Sequence, residues 1–282
     1  MAGPFKFESK PYIIALEAKT PTALEGKTPT APEGKTPTAP EKADRKLVAW
    51  WKFDETEGSS AGDSSGNNLV GTLVGNPQWQ PSGGKFGGAL ELNGDGDYVE
   101  TGYAADLPVW TIAVWVNSPA EPVSAGPNGP VHRDNNYQIN WDHQSDDFRG
   151  AAGTQVGDTW YAASFGELQT NTWYHLAATY DGENLKAYKD SVLITNNSVP
   201  SGNPDAENET LKLGRHSVWM EYFGGTIDDV RIYNYALLEA DIAAIFAGKE
   251  LGKGVSWIPV FVIVVIAAVA AGLAIYIKKT TT

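Results

Sequence analysis

Trp173-Tyr174-His175-Leu176-Ala177-Ala178-Thr179-Tyr180-Asp181-Gly182, followed by Leu185-Lys186-Ala187-Tyr188, is the stretch that decides the fold. The first run alternates with the two-residue period of a β-strand. Asp181-Gly182 supplies a turn, and the second run then reads as the returning arm of a hairpin. Working outward, Trp110-Thr111-Ile112-Ala113-Val114-Trp115-Val116 alternates in the same way, and Val230-Arg231-Ile232-Tyr233 reads as a closing strand. Short β-branched and aromatic runs recur between Gly, Asn, Asp and Pro clusters over residues 47–248, as in an antiparallel all-β domain. Leu238, Ile242, Ile245 and Phe246 instead fall at helical spacing with Gly248 as the stop, so one short C-terminal helix caps the domain. The length suits a two-sheet antiparallel sandwich or jelly roll.

The flanks differ in kind. Residues 1–17 form an N-terminal segment without the apolar core of a secretory signal. Residues 18–46 hold a linker built on the repeat AKTPTALE, GKTPTAPE, GKTPTAPE. Its Pro and Thr content and lack of aliphatic periodicity predict an extended chain, rising about 3.1 Å per residue where it is polyproline-like. The Gly-Lys-Thr triplets are no phosphate loop, because the glycine spacing is wrong and prolines interrupt it. At the other end, residues 249–254 form a short juxtamembrane linker. Residues 255–277 are uncharged and mostly apolar, long enough for a single transmembrane helix, with Trp257 and Tyr276 near its ends. Residues 278–282, starting with Lys278 and Lys279, are expected to form a short cytoplasmic tail, which places the sandwich outside the cell. The repeat then leaves from the domain's far terminus, and the chain is expected to be the membrane-proximal part of a longer surface protein.

Net charge is −13 and there is no cysteine. Such an acidic chain repels phosphate backbones, which argues against nucleic acid as a partner. The missing thiols exclude disulfide scaffolds, thiolate metal sites and cysteine nucleophiles.

Four blocks resemble the laminin-G-like jelly-roll family of the concanavalin A-like lectin/glucanase group. They are Leu47-Val48-Ala49-Trp50-Trp51-Lys52-Phe53-Asp54-Glu55 with Asp63-Ser64-Ser65-Gly66, Gly87-Gly88-Ala89-Leu90-Glu91-Leu92-Asn93-Gly94, the Trp173–Gly182 block, and Phe223-Gly224-Gly225-Thr226-Ile227-Asp228-Asp229-Val230-Arg231-Ile232-Tyr233. One departure is Asp190-Ser191, where the family usually turns on Asp-Gly or Asn-Gly; it should strain that hairpin slightly. The resemblance implies a concanavalin A-like sandwich and often a structural calcium ion. Asp63, Asn67, Asp228 and Asp229 are the oxygen donors in the blocks that join first and last strands, and so the candidate metal ligands.

Glycan-hydrolysing members of that group carry paired carboxylates on one strand, and no Glu-x-Asp-x-x-Glu pattern occurs here. Asp95 and Asp97 have strand spacing but lie in a Gly-rich turn, where aspartates serve the turn. The histidines His132, His143, His175 and His216 are scattered without a nucleophile signature, so no catalytic residue is assigned. Asp134-Asn135-Asn136 and Asp146-Asp147 are weaker calcium candidates and read as solvated loops. For ligand binding, an exposed aromatic beside Asn, Asp or Arg suits a sugar ring. The candidates are Arg133, Asp134, Asn136, Tyr137, Trp141, Trp160, Trp219 and Tyr222, with Tyr161 and Phe223 as further loop aromatics, whereas Trp110, Trp115 and Trp173 are expected in the core. The expected function is a membrane-anchored surface module that binds carbohydrate or a matrix-like protein without chemistry. A spacer subunit of a surface assembly and a glycan-active enzyme or its accessory module are the alternatives.

Overall fold

The computed structural model describes residues 44–119, 128–144, 147–217 and 220–251. The repeat linker, the apolar run 255–277 and the tail lie outside these residues. Among the described residues no helix is long and apolar enough to cross a membrane.

In chain order the strands are β1 (Leu47–Trp51), β2 (Ser60–Ala61), β3 (Gly71–Val74), β4 (Gln78–Gln80), β5 (Ala89–Asn93) and β6 (Tyr98–Glu100). Next come β7 (Trp110–Asn117), β8 (Val131–Arg133), β9 (Tyr137–Gln144), β10 (Asp147–Val156) and β11 (Thr159–Glu167). The rest are β12 (Tyr174–Tyr180), β13 (Asn184–Lys189), β14 (Val192–Ser198), β15 (Lys212–Leu213) and β16 (Gly224–Tyr233), followed by helix α1 (Glu239–Phe246). They form two antiparallel sheets. The first runs β14-β13-β12-β7-β16-β5-β4, with β1 also on β16, and the second runs β11-β10-β9-β8-β15-β6-β3-β2. The two-sheet sandwich and the capping helix read from the sequence are both present.

Between the sheets Trp110 packs on Tyr137 and Tyr180, with ring centroids 5.9 and 6.1 Å apart. The other side of the first sheet is covered as well. Ala113, Ala177, Tyr188 and Tyr233 pack under Leu237, Ile242 and Ile245. Trp115 stacks on Phe246 of the helix at 5.3 Å and lies 5.2 Å from His175. Every residue of β12 is therefore buried although its pattern alternates. Trp173 precedes β12 and is only half-buried, so it does not join Trp110 and Trp115 inside.

Two local irregularities mark the first sheet. Asp190 and Ser191, between β13 and β14, take φ of 50° and 69°. Both are left-handed, as a two-residue hairpin of this hand requires, and non-glycine residues meet strain there. In β16 the register against β7 slips between Asp228 and Arg231, a bulge with Asp229 at φ 51°. A bulge re-aims side chains. Here β16 leaves β5, its partner up to Ile227, and takes up β1 from Val230.

Candidate functional site

The second sheet has two unlike faces. Val131, Ile139, Ala152 and Ala163 lie in register across β8–β11 and all belong to the core. Their neighbours His132, Gln138, Gly153 and Ala162 are also in register and line the opposite face, since side chains alternate along a strand. Lys212 of β15 sits beside His132 and extends this row.

This opposite face is polar and carries unspent hydrogen-bonding capacity. Both ring nitrogens of His132, Oε1 of Gln138, and Oδ1 of Asn140 and Asn128 are buried without a hydrogen bond in the protein. Gln138 lies beside His132 in register. Buried polar groups are normally paired, and several orphans on one face mark a place where another group is expected. At one end of the row stands Trp160, 42% exposed. A Cβ at Gly153 would come within 2.0 Å of the Trp160 ring, so the indole lies over that glycine, and only glycine admits it.

At the other end His132, Asp134 and His216 converge, with donor atoms within 4.8 Å of one another. The two imidazoles are 5.0 Å apart, and His216 Nδ1 lies 3.6 Å from Asp134 Oδ1. All three residues are buried. Burial, then His216, pushes His132 well below the usual histidine range. Burial likewise lowers His216 against the pull of Asp134, and raises Asp134 against the pull of His216. The set therefore favours neutral imidazoles, the form that ligates metals. The sequence did carry one signal, since His132 and Asp134 are two positions apart. The nearness of His216 comes only from β15 lying next to β8.

Several sequence candidates serve the fold instead. Arg133 alternates with His132 and points the other way; its guanidinium is fully buried and donates to the carbonyls of Ala104, Glu207 and Glu209 and to Asp106. Asn136 accepts from Leu107 N at 2.9 Å and donates to Asp205 O. Arg133, Asp134 and Asn136 are thus buried, not part of a solvated loop. Tyr137 and Trp141 belong to the core, where Trp141 meets Phe223 edge-on. Tyr161 is partly buried against that core. Tyr222 is half-buried and stacks with Tyr98 around Arg215. Trp219 and Asp146 lie outside the described residues. Of the aromatic candidates that can be placed, Trp160 is the exposed one.

The four metal candidates separate into two pairs. Asp63 accepts from Trp50 N, Ser65 N, Ser65 Oγ and Leu69 N. Burial would raise its carboxyl, but these bonds from Leu69, Ser65 and Trp50 outweigh it and hold the group below the usual range. Asn67 donates to the carbonyls of Leu47 and Val48. The Asp63 carboxylate and the Asn67 amide nitrogen are thus taken up in ordering the first loop. Asp228 and Asp229 line a separate cavity of about 170 Å³ with Trp50, Lys52, Asp54 and Glu250. Asp228 Oδ2 accepts Lys85 N and Phe86 N, while its Oδ1 is buried without a donor. Burial, reinforced by Asp229 and Asp54 against the two N–H donors, raises Asp228 to about 7. Asp229 is engaged by Trp50 Nε1 and the Arg231 guanidinium, which also stacks on Trp50. Asp228 and Asp54 thus share a cavity whose lining also carries the cationic Lys52 and Arg231, and Asp63 and Asn67 are not part of it. A cavity this small takes an ion and water rather than a sugar chain. Asp97, the other carboxylate with strand spacing, accepts Asn76 N and Asn93 N and holds its turn.

Fold and site together define a concanavalin A-like sandwich with a polar, aromatic-edged face. The sequence model of the Laminin_G_3 family, described as concanavalin A-like lectin/glucanases superfamily, matches residues 93–243. That is more than half of the chain, and the chain belongs to this family. Domain 4 of AbnA, a GH43 extracellular arabinanase from Geobacillus stearothermophilus solved with arabinotriose, is similar at TM-score 0.57 and 24% identity, over 71% of this chain and 97% of that one. The binding domain of Paraclostridial Mosquitocidal Protein 1 aligns at TM-score 0.56 and 15% identity, over 72% of this chain and 52% of that one. The botulinum neurotoxin serotype D ligand binding domain solved with N-acetylneuraminic acid aligns at TM-score 0.55 and 15% identity, over 72% and 51%. The chain spans about half the length of these two toxin domains. At these identities the likeness is one of fold. No curated protein matches the chain.

Proposed function

We propose that this chain is a carbohydrate-binding module carried at a membrane surface. The observation that carries the reading is the exposed Trp160 ring lying over Gly153, at the end of a row of polar side chains with unspent hydrogen-bonding capacity. An indole face stacks on the apolar face of a sugar ring, and the half-buried Gln155, in register with Trp160, offers an amide to its hydroxyls. The similar arabinanase and toxin domains were solved with arabinotriose and with N-acetylneuraminic acid, which supports sugar as the ligand class. The tether rests on the uncharged run 255–277. Calcium belongs to this reading as a structural ion at Asp228 and Asp54, where Asp228 Oδ1 awaits a partner.

The test is a glycan array probed with the full chain in detergent, beside Trp160→Ala. Saturable binding to a related set of glycans that the variant loses supports the proposal. Silence across the array, or equal binding by the variant, sinks it and favours the spacer reading. Protease added to intact cells should remove the sandwich, and full protection would contradict the extracellular placement.

A further inference from the structure

We infer that His132, Asp134 and His216 form a binding site for one zinc ion, held by two imidazoles and one carboxylate with a further position left to water. Three features of this cluster lead there. The donor atoms already lie within 4.8 Å of one another, whereas a tetrahedral zinc site with bonds of about 2.0–2.1 Å needs them about 3.4 Å apart. Small side-chain rotations close that gap. Second, Asp134 Oδ1 and His216 Nδ1 face each other at 3.6 Å, close enough to share an ion but too far for a hydrogen bond. Third, His132 is fully buried with no hydrogen bond at either ring nitrogen, and Asp134 Oδ2 is equally without a donor. Leaving such a group unpaired costs about 1–3 kcal/mol, which a bound metal removes.

The donor set also selects the ion. Imidazole suits zinc and its neighbours in the first transition row, whereas calcium and magnesium require oxygen donors. Copper and nickel favour square or tetragonal arrangements, which three convergent ligands at the end of one strand and a facing loop do not supply. Three protein ligands and a free position are the pattern of zinc sites open to water or ligand. Lys212 acts on Asp134 only through its charge, because its ammonium is bonded to Glu209 and Thr210 and lies 3.7 Å from Glu100. The inference needs no sugar: it stands on side chains at the opposite end of the row from Trp160.

The experiment uses the full chain in detergent, stripped with chelator and titrated calorimetrically with Zn²⁺ alone, with Co²⁺ as a visible-spectrum reporter. One equivalent should bind, and Co²⁺ should show the intense d–d bands of a low-coordinate site. Losing a group that merely hydrogen-bonds to a ligand already weakens metal binding about 10–100-fold, so Asp134→Asn, His132→Gln and His216→Gln should each weaken it about a hundredfold or more. No saturable binding by the wild type, or unchanged affinity in the variants, overturns the inference. If the histidine variants fail to fold by circular dichroism, the shape-conserving Asp134→Asn decides, and wild-type stoichiometry decides should that fail too. Trp160→Ala separates the two readings. It should abolish glycan binding and leave zinc untouched, so failure of either reading shows by itself.

Discussion

Replacing Asp228 by Asn should make the domain less sensitive to a rise in pH from about 4 to 8. The carboxyl is buried on the β16 bulge, accepts only the N–H groups of Lys85 and Phe86, and titrates at about 7 in the folded protein against 3.8 as a free side chain. Below pH 4 both states carry the proton and the group contributes nothing to pH dependence. Between about 4 and 7 the unfolded chain releases its proton while the folded one keeps it, so stability falls as pH rises. At 1.36 kcal/mol per pH unit over that window, the wild type should lose about 4 kcal/mol from this residue by pH 8. Asn keeps an acceptor for the two N–H groups and does not ionise. The assay is urea unfolding of both proteins between pH 4 and 8 with chelator present, taking the difference at each pH so that other titrating groups cancel. The Asn variant should gain on the wild type progressively and level off above pH 7–8. A flat difference curve, or one in which the wild type gains, would refute the argument that burial controls this carboxyl.

His175 gives the opposite slope. Buried beside Trp115 and Phe246, it is depressed to about 3 by burial and then by Arg231, so its contribution is full above pH 6.5 and is lost as pH falls toward 3. In His175→Phe the thermal midpoint should decline less between pH 6.5 and 4 than in the wild type. Calcium added at pH 8 should raise the melting temperature of the wild type and leave Asp228→Asn unmoved, as measured by calorimetry. Arg133→Gln should cost about 3 kcal/mol in urea unfolding, because the bonds from its buried guanidinium to three carbonyls and to Asp106 are lost. Gly153→Val should displace the Trp160 ring, weakening glycan binding about tenfold, or ~1.4 kcal/mol, in titration calorimetry.

Much of the fold was legible because its signals are local. The hairpin at Asp181-Gly182, the alternation of β7 and β12, and the helical spacing of Leu238, Ile242 and Ile245 each need only a short window of chain. The two left-handed residues at Asp190-Ser191 follow from a two-residue turn without glycine. The candidate site was less legible. Arg133, Asn136, Tyr137 and Trp141 read as loop residues for a ligand, yet a one-residue step in register turns a side chain from one face to the other. That step put Arg133 against the carbonyls of Ala104, Glu207 and Glu209 and left His132 on the polar side.

By itself, then, the sequence determined the antiparallel sandwich and its capping helix, since turn chemistry and two-residue periodicity are properties of adjacent residues. Tertiary structure alone decided which face of each sheet was spent on the core. Helix α1 consumed the far side of the first sheet, and no described helix does the same for the second. It also decided that His216, distant in the chain, meets His132 and Asp134, and that Asp63 and Asp228 hold different partners. Such meetings depend on which strands neighbour one another. That order is settled by burial of the whole apolar surface at once, and no local window of sequence contains it.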